Sequence, residues 1–494
     1  MPSFSDILVI GAGITGCAVA RELSRYSASV RVLEAADDVA EGATKANSGI
    51  IHAGFDAHPG TLKARFNVEG AAMYPELSRS LRFPYIRNGA LVLGFTDRDF
   101  DTLNDLLERG RKNGVSELRI IHRDEIIAME PNVNPEVRFA LFAPGSAIVS
   151  PYNVAFALAD DAAFNGVSFV FNSPATALSF GDDRLWHAST PHCEYTSKIL
   201  VNCAGASSAE LHNMICPQKP YRIIHRRGQY CLLGHLQPAP FTRTMFQCPT
   251  EMGKGILVSP TAHGNVIIGP SAEDIGDPAD TSTTMAGLRN VLEGASITWP
   301  EVQKAARSSN ITNFSGIRAH EQGDDFVIGA VPGCAGAYET VGIESPGLSS
   351  APAIAKALSE QIATENRLSR KDRLVPYQPM PKPFNEMTDK EREDALKADP
   401  LNGNIICRCE VVTEAEIRAA IRRPVGARSI DGVKRRTRAG MGRCQGGFCS
   451  PRVAAILAEE LGVPLSDITK NGEPGRLLTG TVQEALKQAG GDHK

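Results

Sequence analysis

The sequence predicts an α/β chain in which a mostly antiparallel domain is inserted into a parallel-sheet domain, followed by a small helical domain near the C-terminus. Three observations carry this reading. The chain opens on a short apolar run, a glycine turn, a helical stretch and a second apolar run. Strand-like and helical segments then alternate, with β-rich stretches between them. After about residue 370 the composition changes abruptly.

Ile7-Leu-Val-Ile10 reads as a buried strand, Gly11-Ala-Gly-Ile-Thr-Gly16 as the turn, Cys17 to Arg25 as a helix, and Val30-Arg-Val-Leu-Glu34 as a second strand. Strand-like residues begin at Asp6, so a secretory signal has no room ahead of them. Ile199-Leu-Val-Asn-Cys203 and Val327-Ile-Gly-Ala-Val331 read as further buried strands. Ile256-Leu-Val-Ser259 and Val266-Ile-Ile-Gly269 suggest the antiparallel domain. Val375 to Pro383 holds four prolines in nine residues, the mark of a stiff extended connector. A charged helical patch, Thr388 to Ala395, follows it. The chain shows no internal repeat.

At 494 residues, two to four compact units are expected. Apolar residues at 42% and charged residues at 22% exclude wholesale disorder. The net charge of −4 gives no global attraction to nucleic acid or to an anionic membrane. The apolar runs are too short for a spanning helix. A soluble, cytoplasmic oligomer is expected, with peripheral attachment at the inner face of the membrane through a partner left open. Of eleven cysteines, Cys17, Cys193, Cys203, Cys216, Cys231, Cys248 and Cys334 are scattered, and read as reduced, buried packing residues. The other four fall within 43 residues.

Gly11, Gly13 and Gly16 form G-x-G-x-x-G between a strand and a helix. The first permits the tight turn, the second lets backbone approach a pyrophosphate, and the third lets the helix pack close to the strand. The phosphates then face the positive end of the helix. Glu34 ends the second strand 18 residues after Gly16, where its carboxylate can accept hydrogen bonds from ribose hydroxyls. Together these features specify a dinucleotide site, without separating FAD from NAD.

Two further segments bear on that choice. Gly42-Ala-Thr-Lys-Ala-Asn-Ser-Gly-Ile-Ile-His-Ala-Gly54 is rich in small residues, which suits backbone lying against a large flat ring. Gly342 to Ala353 runs from a loop into an apolar helix whose first amides could point at a flavin carbonyl. Each segment alone could be a glycine-rich connector. With Val201-Asn-Cys-Ala-Gly205, Gly253 to Pro260, Gly264 to Pro270, Gly316-Ile-Arg318 and Ser345-Pro-Gly-Leu348, the chain resembles the FAD-dependent oxidoreductases of the D-amino-acid-oxidase type. Within them it is similar to the large subunits of anaerobic glycerol-3-phosphate dehydrogenases and to L-2-hydroxyglutarate dehydrogenases. The resemblance implies a Rossmann-like FAD-binding domain with an inserted antiparallel-sheet substrate domain. It implies that Val201–Gly205 returns under the FAD. The expected cofactor contacts are Gly11, Gly13, Gly16 and Glu34, then Thr44, Asn47, Ser48 and Gly49, then Ala204, Gly205, Gly347 and Leu348.

Such flavoenzymes oxidise a CH–OH or CH–NH bond, so the protein must orient the substrate, hold its anionic group and accept a proton. The resemblance brings Arg318 to the substrate anion, and a guanidinium binds carboxylate or phosphate bidentately. His52 and His225 are the candidate bases. His52 could instead contact or covalently carry the flavin, and a lone His225 could be structural. Lys254, set among glycines, is a second anion-binding candidate. The form Ala46-Asn-Ser-Gly-Ile-Ile-His-Ala-Gly54, with Pro59-Gly-Thr-Leu-Lys-Ala64, looks more like the 2-hydroxyglutarate enzymes, whereas the C-terminal domain points to the glycerol-3-phosphate group.

The cysteine window reads Cys407-x-Cys409, then 34 residues, then Cys444-x4-Cys449. Four thiolates can hold a [2Fe-2S] cluster, and the glycines of Gly440-Met-Gly-Arg-Cys-Gln-Gly-Gly-Phe-Cys449 let backbone amides approach its sulfurs. Lys434-Arg-Arg-Thr-Arg438 and Arg443 oppose the negative charge of such a cluster. The segment resembles the bacterioferritin-associated ferredoxin (BFD) domain, and Cys407, Cys409, Cys444 and Cys449 match its ligands. Zinc, disulfides, or a nucleic-acid patch on the basic run are the other readings, although Cys-x-Cys is awkward for structural zinc.

The expected organisation is an oxidoreductase over residues 1–370, with FAD-binding parts at about 1–80, 150–215 and 315–370 and a substrate domain at about 81–149 and 216–314. A proline-rich linker over 371–403, a helical [2Fe-2S] domain over 404–460 and a tail over 461–494 complete it. The expected function is oxidation of sn-glycerol 3-phosphate to dihydroxyacetone phosphate, with electrons leaving through the cluster to quinone or a partner protein. A 2-hydroxyacid or amino-acid dehydrogenase is the rival of the same class. An iron-sulfur redox sensor without turnover is the rival of another.

Overall fold

The structure, a computed structural model, describes residues 3–249 and 255–480, together with 482, 483 and 486. The chain divides into two compact units. One runs to Tyr377 without Ala36–Asp38, and the other comprises Ala36–Asp38 and the chain from Gln378 onward.

The first unit is built on two large sheets. Among the described residues, one has eight strands with Ser3–Ile10 at its centre, parallel on one side to Val30–Leu33 and on the other to Glu194–Asn202. Ile7, Leu8 and Val9 are fully buried, and each such aliphatic side chain withdrawn from water contributes about 1.5–3 kcal/mol. Burial on both faces explains the uninterrupted apolar run that predicted this strand. The strand extends back to Ser3, ahead of the expected Asp6. Glu194–Asn202 also pairs in parallel with Ala337–Val341, which is wholly buried. Val327–Ala330, expected as a buried strand, is instead an antiparallel edge with its residues half-buried or exposed. An apolar run of four or five residues reads alike in either setting.

The second sheet has nine strands among the described residues and is antiparallel except where Thr244–Gln247 lies parallel to Ala90–Gly94. Its longest pair, Ile223–Leu233 with Asn310–Glu321, sets Arg226 directly opposite Arg318. The expected strands at Leu257–Pro260 and Val266–Gly269 pair with each other within it.

Helices cover the first sheet. Ile14–Leu23 follows the glycine turn, and Leu62–Leu81 starts at Thr61, whose side chain accepts from the Ala64 amide. Gly347–Glu365 packs on both of them. A Cβ at Gly70 would lie 2.1 Å from the Ser349 carbonyl oxygen, so glycine is what lets two of these helices touch backbone to backbone.

The second unit has its own core, in which Ile417, Val433 and Leu457 are fully buried. These belong to the helices Glu414–Ile421, Ile430–Thr437 and Ser450–Leu461. Thr413 and Glu416 form a capping box that fixes the start of the first of them. Part of the segment expected as a linker is folded here. The Phe384 amide donates to Glu416, Asn385 donates to the Glu410 carbonyl, and Asp389–Ala398 is a helix. The expected tail contributes Ile468, 3% exposed, to the core. Proline density and sequence position concealed these contacts, which depend on caps and single apolar anchors. Of the scattered cysteines, Cys17, Cys203, Cys216 and Cys231 are buried, whereas Cys248 and Cys334 are intermediate and Cys193 is exposed.

Candidate functional site

In the first unit a cleft of about 1150 Å³ runs from the glycine turn to the paired long strands. Gly11 takes a φ of +100°, and a Cβ there would lie 2.6 Å from the Cys203 carbonyl oxygen. At Gly16 a Cβ would come within 1.9 Å of the Gly11 carbonyl oxygen, so this glycine packs helix against turn and does not line the cleft. The helix that follows begins at Gly13, which has no side chain to cap it, and its first residues, Ile14 and Thr15, line the cleft at the positive end of the helix. The Ile14 amide donates to Thr44 Oγ1 at 2.9 Å, tying the glycine turn to the small-residue segment. Glu34 lines the cleft and accepts from the Ala12 amide at 2.6 Å, which fixes its carboxylate beside the turn.

Thr44, Asn47 and Ser48 line the same cleft, as do Ala204, Gly205, Gly347 and Leu348. Gly49 does not. Its φ is +71°, a Cβ there would meet the Val149 carbonyl oxygen at 2.5 Å, and the residue serves the turn. Asn47 clamps that turn by accepting from the Gly49 amide and donating to the Thr44 carbonyl. Small residues, an uncapped helix start and this volume fit an FAD. A ligand of that length needs the upper end of the pocket sizes that proteins offer.

At the other end of the cleft stands His52. Its amide donates to Ser349 Oγ at 2.8 Å, and its carbonyl accepts from Asn67 Nδ2 at 2.6 Å. Its ring stacks on Phe246 with centroids 5.8 Å apart. Arg318 also lines the cleft. One Nη donates to the Ser271 carbonyl at 2.7 Å, whereas its Nε is buried with no hydrogen-bond partner among the described residues. A buried donor without an acceptor costs about 1–3 kcal/mol, which an anionic ligand would recover. Gly228 makes room for this side chain, since a Cβ there would lie 2.9 Å from Arg318 Nη2. Arg226, its cross-strand neighbour, is held by Asp274 at 2.6 Å.

His225 is not brought to this site. Alternation along its strand sends Arg226 to the cleft, and His225 rests with Nε2 3.1 Å from the Ala206 carbonyl. Lys254 lies outside the described residues. The sequence reading missed Asn67, Tyr230 and Phe246. Only Gly228, a glycine inside a strand pattern, carried a signal of close approach.

His320, Asp324 and Glu344 gather at the cleft margin within metal-ligand reach of one another. Lys63 occupies their centre, with Nζ 2.9 Å from both carboxylates, so the group is an ion-pair network. Burial works against the charge on Lys63, but Glu344 and Asp324 outweigh it and hold the ammonium above its ordinary value.

In the second unit, Cys407 and Cys449 are buried, Cys444 is partly buried and Cys409 is exposed. Cys409 and Cys444 have their sulfurs 3.5 Å apart. A Cβ at Gly442 would lie 2.3 Å from that of Cys409, so glycine allows the two loops to meet. The Cys449 thiol, followed against burial by amides that include that of Gly440, pulls Cys407 down to about 6. Cys444 is lowered by Cys409 and then by amides that include that of Gly446. Two close thiol pairs, Cys407 with Cys449 and Cys409 with Cys444, with amide donors and no disulfide, fit a [2Fe-2S] cluster. Of the basic run, Arg435 and Arg436 pair with Asp38, and Arg438 pairs with Glu410.

Residues 6–361 match the family model described as FAD dependent oxidoreductase. The chain belongs to that family. Residues 405–459 of this oxidoreductase match the BFD-like [2Fe-2S] binding domain. It is therefore an enzyme with two cofactors, FAD and a [2Fe-2S] cluster. It is 43% identical over 483 residues, 98% of this chain and 100% of the relative, to a protein named glycerol 3-phosphate dehydrogenase in Caloramator mitchellensis. A mitochondrial L-2-hydroxyglutarate dehydrogenase of Arabidopsis thaliana is 29% identical, covering 72% of this chain and 83% of its own. The structure of an L-α-glycerophosphate oxidase from Mycoplasma pneumoniae, dithionite-reduced and with FAD bound, superposes with a TM-score of 0.73 at 28% identity. It covers 77% of this chain and 100% of its own. Among the described residues, no helix of the oxidoreductase is long and apolar enough to cross a membrane.

Proposed function

We propose that this oxidoreductase is a dehydrogenase of sn-glycerol 3-phosphate, giving dihydroxyacetone phosphate. The observation that carries the reading is Arg318, which lines the cleft that holds His52 with a single hydrogen bond and no ion pair among the described residues, and so offers its charge to an anionic group on the substrate. End-to-end similarity to a chain named for that activity supports phosphate over carboxylate. Bound FAD would supply acceptance of two electrons with the hydrogen of the substrate carbinol carbon, and Cys407, Cys409, Cys444 and Cys449 would hold a cluster that supplies one-electron transfer to a quinone or a partner protein.

The chain's own residues do the rest. Arg318 holds the phosphate through its free guanidinium edge, and Arg226 adds positive charge alongside. His52 takes the hydroxyl proton, its backbone fixed by Asn67 and Ser349 so that the ring keeps one position. Phe246 and Tyr230 exclude water from the reacting carbon.

Stopped-flow bleaching of the flavin absorbance under anaerobic conditions, with glycerol phosphates, 2-hydroxyacids and amino acids in turn, tests the proposal. sn-Glycerol 3-phosphate should bleach fastest. Faster bleaching by L-2-hydroxyglutarate or an amino acid would replace the substrate, and bleaching by none of them would replace catalysis with sensing.

A further inference from the structure

The most exposed large apolar side chain among the described residues is Phe448, 86% exposed, directly before the buried Cys449. It does not stand alone. Arg408, Cys409 and Val411 are exposed on the first cysteine loop, and Arg443 and Gly447 on the second. The 3.5 Å approach of Cys409 to Cys444 brings the two loops together. Apart from the cysteines themselves, the charged side chains around the two loops are mostly of one sign. Residues 405–413 and 438–452 carry four arginines and one carboxylate, Glu410, which is buried and consumed by Arg438 at 2.7 Å. Arg452 donates to Asn404 at 2.9 Å, whereas Arg408 and Arg443 enter no ion pair among the described residues. All this sits in a chain whose net charge is −4.

Exposing a phenylalanine gives the second unit nothing in stability, and Arg408 and Arg443 flank it without an ion-pair partner among the described residues. Arginine and aromatic residues are, however, the types enriched at interface centres, with charge setting the encounter. We propose that this face is the docking surface for an acidic protein carrying a one-electron redox centre. Phe448 is the apolar contact, and Arg408 and Arg443 are the charged ones. The inference rests on the relay proposed above and names the acceptor's class. Each electron leaving the reduced cluster reduces one acceptor centre by one unit, so two acceptor proteins are turned over per substrate oxidised.

The test uses the full chain with both cofactors and two probes of opposite charge, acidic cytochrome b5 and basic cytochrome c. Calorimetric titration should show binding of oxidised cytochrome b5 that weakens with added salt, and weaker binding of cytochrome c. Phe448→Ser and Arg408→Glu should each weaken cytochrome b5 binding about tenfold. Both variants should keep the visible and EPR spectra of the cluster and the rate with menadione, a neutral small acceptor. Equal binding of the two cytochromes, or unchanged binding by the variants, would overturn the proposal. So would a slower passage of electrons from flavin to cluster in the variants, which would make the face a contact of the chain with itself. If substrate bleaches flavin but never the cluster, the relay fails. Protein reduced with dithionite and mixed with cytochrome b5 then still reports on the face.

Discussion

Arg318 combines a buried donor without a partner, a carbonyl contact that fixes one end of its guanidinium, and a glycine across the strand that makes room for it. Replacing it with alanine should lower kcat/KM for sn-glycerol 3-phosphate by about 100- to 1000-fold, the scale of losing a buried charge-assisted contact. Oxidation of glycerol itself, which lacks the anion, should change far less, and steady-state kinetics on the two substrates measures the difference. Its place in the cleft was legible in the sequence because Gly316-Ile-Arg318 came with a recognisable context. His225 was misplaced because alternation assigns neighbours to opposite faces without saying which face is inside. Arg226 took the cleft side. Asn67 left no local signal at all, since its partner is the carbonyl of His52, brought to it by tertiary packing.

Among the elements, the contact of Leu62–Leu81 with Gly347–Glu365 is the most sensitive. Gly70→Ala would drive a methyl into the Ser349 carbonyl, and Ser349 Oγ is what accepts from the His52 amide. A loss of about 2 kcal/mol in stability is expected from overpacking, seen as a lower Tm, together with a fall in kcat as His52 shifts. The Lys63 network gives a pH signature. Lys63 is raised above its ordinary 10.5, so its contribution is complete below that pH and is lost as pH rises through the higher folded value. Asp324 is lowered below 3.8, against burial, by its bond to Lys63. Its contribution is present above 3.8 and is lost as pH falls through the depressed value. Lys63→Met should cost about 3 kcal/mol near neutral pH by leaving Glu344 without its cation. It should also flatten the alkaline limb of a plot of urea midpoint against pH. The glycine turn and its flanking strand were readable because both follow from local sequence. The edge strand at Val327 was not, because its burial depends on Ala337–Val341, a strand that arrives later in the chain.

For the whole molecule, the two cofactors predict separable losses. Cys444→Ser should leave substrate bleaching of the flavin within about twofold of the parent, because the cleft residues proposed to hold the flavin all belong to the other unit. Transfer to the physiological acceptor should fail. Rapid-scan spectroscopy of both chromophores checks this, and loss of both steps would contradict the relay. The division into a flavin part and a cysteine part was legible from the change in composition. The packing of residues beyond Gln378 was not, since caps and anchors such as Glu416 and Ile468 carry no periodicity. The central sheet also has a consequence for biosynthesis. Its parallel strands come from residues 3–10, 30–33, 168–170, 194–202 and 337–341, and the helix whose first residues line the cleft starts only at Gly347. A ribosome that has translated three hundred codons has therefore delivered the glycine turn without the last wall of the cleft. By contrast, the four cysteines proposed to hold the cluster emerge within one short, contiguous stretch. Riboflavin shortage during growth should accordingly leave full-length chains that hold iron but no yellow colour.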